Sequence, residues 1–216
     1  MSRRAAAVTG LAGLAATGLA AGVETPLRDS AQDPVRLVFE WEYTDHRGPL
    51  SGSGAARANP PGSFRLDLFT GADGSLSAAL VDGRLTANSD IQDFDLPPAR
   101  FLYAMAGVFW NDAPSAGEDP PQADGSVELL EPDNSTVVFR FDGGGRIVRV
   151  EQRYRGTLIR RADLSWDSNS PWPSEARYRD DERQNGVRWR IQLVDPAAAP
   201  WPDEVFVIPG GRVVPE

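Results

Sequence analysis

Alternation of period two, repeated from one end of the chain to the other, most limits what it can fold into. "VRLVFEWEY" puts Val35, Leu37, Phe39, Trp41 and Tyr43 on one side, with Arg36, Glu40 and Glu42 on the other. Successive side chains of a strand point to opposite faces, so this run is a half-buried strand with a large apolar inner face. The pattern returns in "SFRLDLF", "SLSAALVDGRLTA", "SVELLE", "STVVFRFD", "GRIVRVEQRYR", "TLIRRADLSW", "SEARYRDD", "GVRWRIQLVD" and "EVFVIP". "GADG", "DG", "EPDN", "DGGG" and "RG" separate the runs as turns, which predicts sequential hairpins. In "LSGSGAARA" the small residues mark a strand that bends or that another backbone approaches closely. Roughly ten or eleven short strands are expected. The fold class is therefore mainly β: a strongly curved antiparallel sheet with one polar face and one lined by large apolar groups. Phe39, Trp41, Leu66, Leu68, Phe139, Phe141, Val150, Tyr154, Leu164, Trp166, Trp189 and Ile191 are the inward candidates.

One stretch breaks the alternation. "LPPARFLYAMAGVFW" opens with two prolines, tolerated in a first helical turn because the missing N–H costs nothing there. Phe101, Leu102, Met105, Val108 and Phe109 then recur at the spacing of one helix face, with Arg100 as the only charge. A bilayer span needs about 20 apolar residues, so this helix must bury itself against protein or against something the protein carries. A short apolar helix covering the concave face of the sheet is the expectation. An ordinary core helix is the plainer alternative, while Met105 and the aromatic residues suit a surface that repacks around a variable guest.

Composition removes whole classes of function. The chain of 216 residues has a net charge of −9, which argues against nucleic acid, whose binders need a basic surface. It has no cysteine, so disulfides, thiolate metal sites, cysteine nucleophiles and a thioether lipid anchor are ruled out. A single histidine, His46, allows no multi-histidine metal site, and "TDHRGP" places it in a turn. "FDGGGRIV" lies between two alternating runs and lacks the lysine of a phosphate loop, so it reads as a hairpin. No hydrolase or metalloprotease motif is present. Neither a catalytic residue nor a metal or other cofactor is expected, and the chain reads as a non-enzyme.

All 22 basic residues are arginine. In "RIVRVEQRYRGTLIRRA", Arg149, Arg153 and Arg155 share a strand face with Ile147 and Glu151, opposite Val148, Val150 and Tyr154. Such a face is a solvated, salt-bridged exterior or a docking patch for an acidic partner or anionic headgroup. Arg160 shares parity with the apolar Leu158, Ala162, Leu164 and Trp166. An arginine there holds a phosphate or carboxylate, or snorkels to the sheet edge.

The N-terminus has the layout of an export signal: Arg3 and Arg4, then an Ala/Leu/Gly stretch, then small residues near Ala20. Residues 1–22 are read as a signal peptide, 23–34 as a polar linker and 35–216 as a single domain. Cleavage removes two arginines and moves the net charge to about −11. No later segment reads as a membrane span, so the expected location is periplasmic or otherwise exported, soluble after cleavage.

"PPGSFRLDLFTGADGSLSAALVDGRLT", followed by "LPPARFLYAMAGVF", resembles the periplasmic lipoprotein carrier and receptor family (LolA/LolB-like). "ARYRDDERQNGVRWRIQLVD" is similar to that family's closing hairpin, and the likeness runs from about Val35 to Val194. It implies an incomplete β-barrel whose concave apolar face, capped by helix, accepts acyl chains of a lipoprotein or lipid. It also implies an envelope transport partner and binding without catalysis. The cavity implied is lined by the inward residues above, Ile191 aside, and by Phe101, Leu102, Met105 and Phe109, with Arg160 as a headgroup contact. The alternative is a non-catalytic envelope sensor or scaffold of the same fold with a filled cavity. Two departures stand out: the receptor branch is anchored through a cysteine, and the carrier branch often begins with an amphipathic helix, where this chain has "ETPLRDSAQDP".

Overall fold

Every alternating run except "EVFVIP" forms a strand. The structure, a computed structural model, describes residues 34–60, 62–71, 74–89, 94–110, 125–168 and 170–214. The expected signal peptide and all but the last residue of the linker lie outside the described residues.

The first meander comprises β1 (Val35–Asp45), β2 (Gly48–Asn59), β3 (Ser63–Thr70), β4 (Gly74–Val81) and β5 (Arg84–Ser89). The helix α1 (Ala99–Met105) follows. The second meander runs through β6 (Ser126–Leu130), β7 (Thr136–Phe141), β8 (Ile147–Tyr154), β9 (Thr157–Trp166), β10 (Pro173–Asp180) and β11 (Asn185–Pro196). A two-residue β12 (Arg212–Val213) ends the chain's regular structure. All twelve strands form one antiparallel sheet in the order β12-β5-β4-β3-β2-β1-β11-β10-β9-β8-β7-β6. The meanders join where β1 pairs with β11, and β6 and β12 remain as edges, so the barrel is incomplete.

Turn chemistry explains the close hairpins. Asp82–Gly83 and Arg155–Gly156 have φ of 48° and 77°, and of 49° and 82°. Positive φ at both central residues matches the right-handed twist of the flanking strands. The small residues of β2 serve the predicted close approach. A Cβ on Gly52 would lie 1.8 Å from the carbonyl oxygen of Phe69, and one on Gly54 would lie 2.6 Å from the Phe39 ring.

The inner faces of both meanders and α1 share one apolar core. "EVFVIP" departs from its expected strand. Asp203–Phe206 is a 3₁₀ turn in a C-terminal strap that crosses the outer face of β3 and β4. There Phe206 and Ile208 pack on Ala79, forming a second, small apolar cluster. Arg65 donates to the Val205 carbonyl (2.8 Å), and Asn59 makes two hydrogen bonds with the Trp201 backbone (2.7 and 2.9 Å). A segment crossing strands has no ladder to join until it reaches the edge, where β12 pairs with β5.

Candidate functional site: the filled interior of the half-barrel

Alternation places Phe39 and Trp41 of β1, Leu66 and Leu68 of β3, Phe139 of β7, Val150 of β8, Leu164 of β9 and Trp189 of β11 on the concave face, all buried. Phe141 and Trp166 are half-buried at its border, as is Ile191. Phe39 stacks on Trp189 with ring centroids 4.6 Å apart. The Trp41 indole donates to the Ser53 carbonyl (2.9 Å) and that of Trp166 to the Ile147 carbonyl (2.8 Å). Rings of this size, tethered at their polar ends, make a stiff apolar wall.

The helix fills the space between the walls. Phe101, Leu102, Tyr103, Ala104, Met105, Ala106 and Val108 are each at most 1% exposed. Burial extends all round the helix, beyond the single face expected, because the sheet curls about it. Phe101 meets Tyr178, Tyr103 meets Phe64 and Trp110, and the half-buried Phe109 meets Phe139 and Phe141. The helix is only seven residues long, and its Pro98 N-cap has no side-chain hydrogen bond. Its register is held by Arg100, which pairs with Glu131 and donates to the Trp110 carbonyl (3.1 Å). Gly107, at φ 81°, lets the chain turn away, and a Cβ there would lie 2.8 Å from Pro173.

Three expected placements are corrected. Tyr154 does not line the interior: it ends β8 at the rim, 39% exposed, with the Arg155 guanidinium over its ring. The concave surface stops before it, because the β8–β9 hairpin extends past the core. Ile147 does not join the arginines but is fully buried. One extra residue in β8 explains this, since Arg140 pairs with Arg149 but Phe141 pairs with Ile147. Such a bulge reverses the parity of everything before it. Arg155 lies in the turn rather than on the strand face.

Arg160 faces inward, as its parity requires, and the carboxylate it holds is internal. Its Nε donates to Asp180 (2.9 Å) and its Nη1 to Gln152 (2.9 Å), whose amide donates to Ser135 (2.7 Å). Asp180 also accepts from the backbone N–H groups of Glu182 and Arg183 and from the Tyr178 hydroxyl. Burial pushes the Asp180 carboxyl up, but Arg160 and the two N–H donors outweigh it and hold the group below its ordinary value. Burial, with Asp180 beside it, pushes the Tyr178 phenol up. These groups close one end of the interior with a satisfied polar layer. At the β1–β2 turn a hollow of about 410 Å³ opens at the rim, lined by Tyr43, Leu50, Phe94 and the Asp45–Arg47 ion pair among others.

Sequence reasoning left Tyr103, Tyr178, Gln152 and Asp180 out of the site. The parity of "ARYRD" against "RRADL" would have found Asp180, since Ala176, Tyr178 and Asp180 share the inward side. Tyr103 carried no signal, as a seven-residue helix buried all round has no polar face to mark its orientation. Among the described residues no group of three or more His, Cys, Asp or Glu side chains could hold a metal ion. No helix among them is long and apolar enough to cross a membrane.

No protein-family model and no curated protein sequence matches the chain. Solved structures similar to it include a LolA superfamily protein from Nitrosomonas europaea, at 9% identity, covering 83% of this chain and 92% of that one, with a TM-score of 0.48. An outer membrane lipoprotein-sorting protein domain from Vibrio parahaemolyticus is similar at 9% identity, covering 82% and 91%, with a TM-score of 0.47. The complex of MucA and MucB from Pseudomonas aeruginosa is similar at 16% identity and a TM-score of 0.37; the match covers 87% of this chain and 60% of that one.

Proposed function

We propose that this chain is an exported, non-catalytic binding protein that takes acyl chains of a lipoprotein or lipid into its half-barrel for transport through the envelope. In this reading α1 occupies the interior when no guest is present. The observation that carries it is the concave apolar wall filled, among the described residues, largely by one segment, Phe94 to Trp110, whose regular part is a seven-residue helix without a side-chain N-cap. Magnitudes permit the exchange. Exposing Phe101, Leu102, Met105 and Val108 costs on the order of 6–12 kcal/mol, which a buried sixteen-carbon chain at about 0.8 kcal/mol per CH₂ returns provided the equally buried Tyr103 keeps its cover. Arg160 meets a headgroup only by releasing Asp180, so entry of an anionic headgroup would come with rupture of that pair.

One observation favours a second reading, a sensor or scaffold whose interior stays closed: α1 is buried on every side, as a core helix is. Lipid extraction and mass spectrometry of the protein purified from its native envelope separate the two. A stoichiometric acyl lipid supports the carrier; lipid-free protein that also takes up no fatty acid when titrated supports the scaffold. Export is part of both readings. N-terminal sequencing of the native protein should find cleavage near Ala20, and an intact Met1 or Ser2 in a cytoplasmic fraction would refute it.

A further inference from the structure

The outer face of the second meander carries charge of the opposite sign to the chain as a whole. Pointing outward are Arg149 and Arg153 of β8, Arg161 of β9, Arg177 and Arg179 of β10, and Arg188 and Arg190 of β11. The same face of these four strands bears Glu151, Asp163 and Glu175 among the arginines, and Asp195 toward the end of β11, opposite Arg36. Asp181, in the turn after β10, pairs with Arg179. The three central carboxylates are each shared. Glu151 takes Arg149 and Arg153, Asp163 takes Arg149 and Arg161, and Glu175 takes Arg177, Arg188 and Arg190. The Glu151 and Glu175 side chains lie deep, 8% and 17% exposed, with Asp163 at 34%, against 64% and 72% for Arg177 and Arg179. Beyond β11 the patch ends, since Glu40 and Glu42 of β1 stand opposite Arg190 and Arg188.

We infer that this face is a docking surface for anionic phospholipid headgroups. Four strands at the usual spacing make a two-dimensional array of guanidinium groups about 14 Å across. Arginine keeps its charge at any working pH and binds phosphate in bidentate fashion. A protein partner would be expected to find an apolar centre with few charges, and this patch has none: the nearest exposed apolar residues, Tyr154 and Leu193, stand toward the ends of β8 and β11. A headgroup layer needs no such anchor. The net charge of −9 does not oppose contact, because screening confines the interaction to about 8–10 Å and leaves the local surplus in control. The strap does not cover this half of the sheet, packing on β3 and β4 instead.

Sedimentation of the full chain with vesicles tests the inference. Vesicles of equal parts phosphatidylglycerol and phosphatidylcholine should bind it more tightly than phosphatidylcholine alone, and salt at about 1 M, where screening falls to about 3 Å, should erase the difference. Each arginine near such a surface contributes about fivefold in affinity, so R177Q/R179Q should reduce the preference about 25-fold and R177E/R179E more. Thermal unfolding checks that both variants fold, and R47E, at the β1–β2 turn, should keep the wild-type preference. Equal binding to both vesicles, or a preference that folded R177Q/R179Q retains, overturns the inference. Capture of polyglutamate without vesicle binding also overturns it, in favour of an acidic protein partner.

Discussion

The two meanders solve the same problem on the inside and different problems on the outside. Both turn large apolar side chains inward around α1, and neither inner wall is complete without the other across the β1–β11 seam. Outside, the first meander is overlaid by the strap, and its buried Asp67 is held by Arg57, Arg65 and Ser77. Among the described residues the second has no strap, and its outer face carries a lattice of arginines. The difference teaches that alternation sets which face is inside, while whatever covers the other face determines whether its polar residues are structural or free to meet a partner.

The sharpest way to break the comparison is at the tight packing of the first meander. Gly52→Val should prevent folding or cost about 3 kcal/mol or more, because the added Cβ meets backbone that cannot yield; urea unfolding measures it. An equal substitution at Gly156, where a Cβ meets nothing within 4 Å, should cost much less and only through its φ of 82°.

Next comes the buried pair of the second meander. Asp180→Ala should cost about 3 kcal/mol by leaving Arg160 with only the exposed Glu182 carboxylate, 3.8 Å away, to balance it. The pH dependence has a definite sign. Asp180 is held below its ordinary 3.8, so its contribution is present above that value and is lost as pH falls through the lower, folded-state value. Asp180→Asn should therefore flatten the acid limb of a stability–pH curve below about pH 4; an unchanged limb would mean the pair adds nothing.

Smaller effects separate the outer faces. Phe206→Ala should cost about 2 kcal/mol by thermal unfolding, since it detaches the strap from Ala79. Arg161→Ala, on the uncovered lattice, should change stability by no more than about 0.5 kcal/mol, as exposed ion pairs do. A larger loss at Arg161 than at Phe206 would reverse the roles given to the two faces.

Legibility followed the same division. The strands, their hairpin order, the inward set from Phe39 to Trp189 and the helix at Ala99–Met105 are readable because period and turn chemistry are local. What escaped reading depends on single extra residues or on distant partners. The bulge in β8 moved Ile147 inside, and the hairpin's overreach left Tyr154 at the rim. "EVFVIP" has the composition of a strand, but it crosses β3 and β4, which already have their strand neighbours. Arg160 was placed correctly by parity, yet its partner Asp180 lies 20 residues away.

Whether α1 is an exchangeable occupant or fixed core is the central question, and Phe101→Ala and Met105→Ala address it directly. Binding of a fluorescent fatty acid and urea unfolding are measured on the same proteins. An exchangeable helix belongs to the low-stability part of the fold, so the truncations should alter acyl binding more than unfolding free energy. A fixed core helix would lose about 2–5 kcal/mol per truncation. Wild-type binding that weakens in variants of near-native stability is the expected result. Heavy destabilisation, with no acyl binding even by the wild type, would contradict the carrier and leave the scaffold.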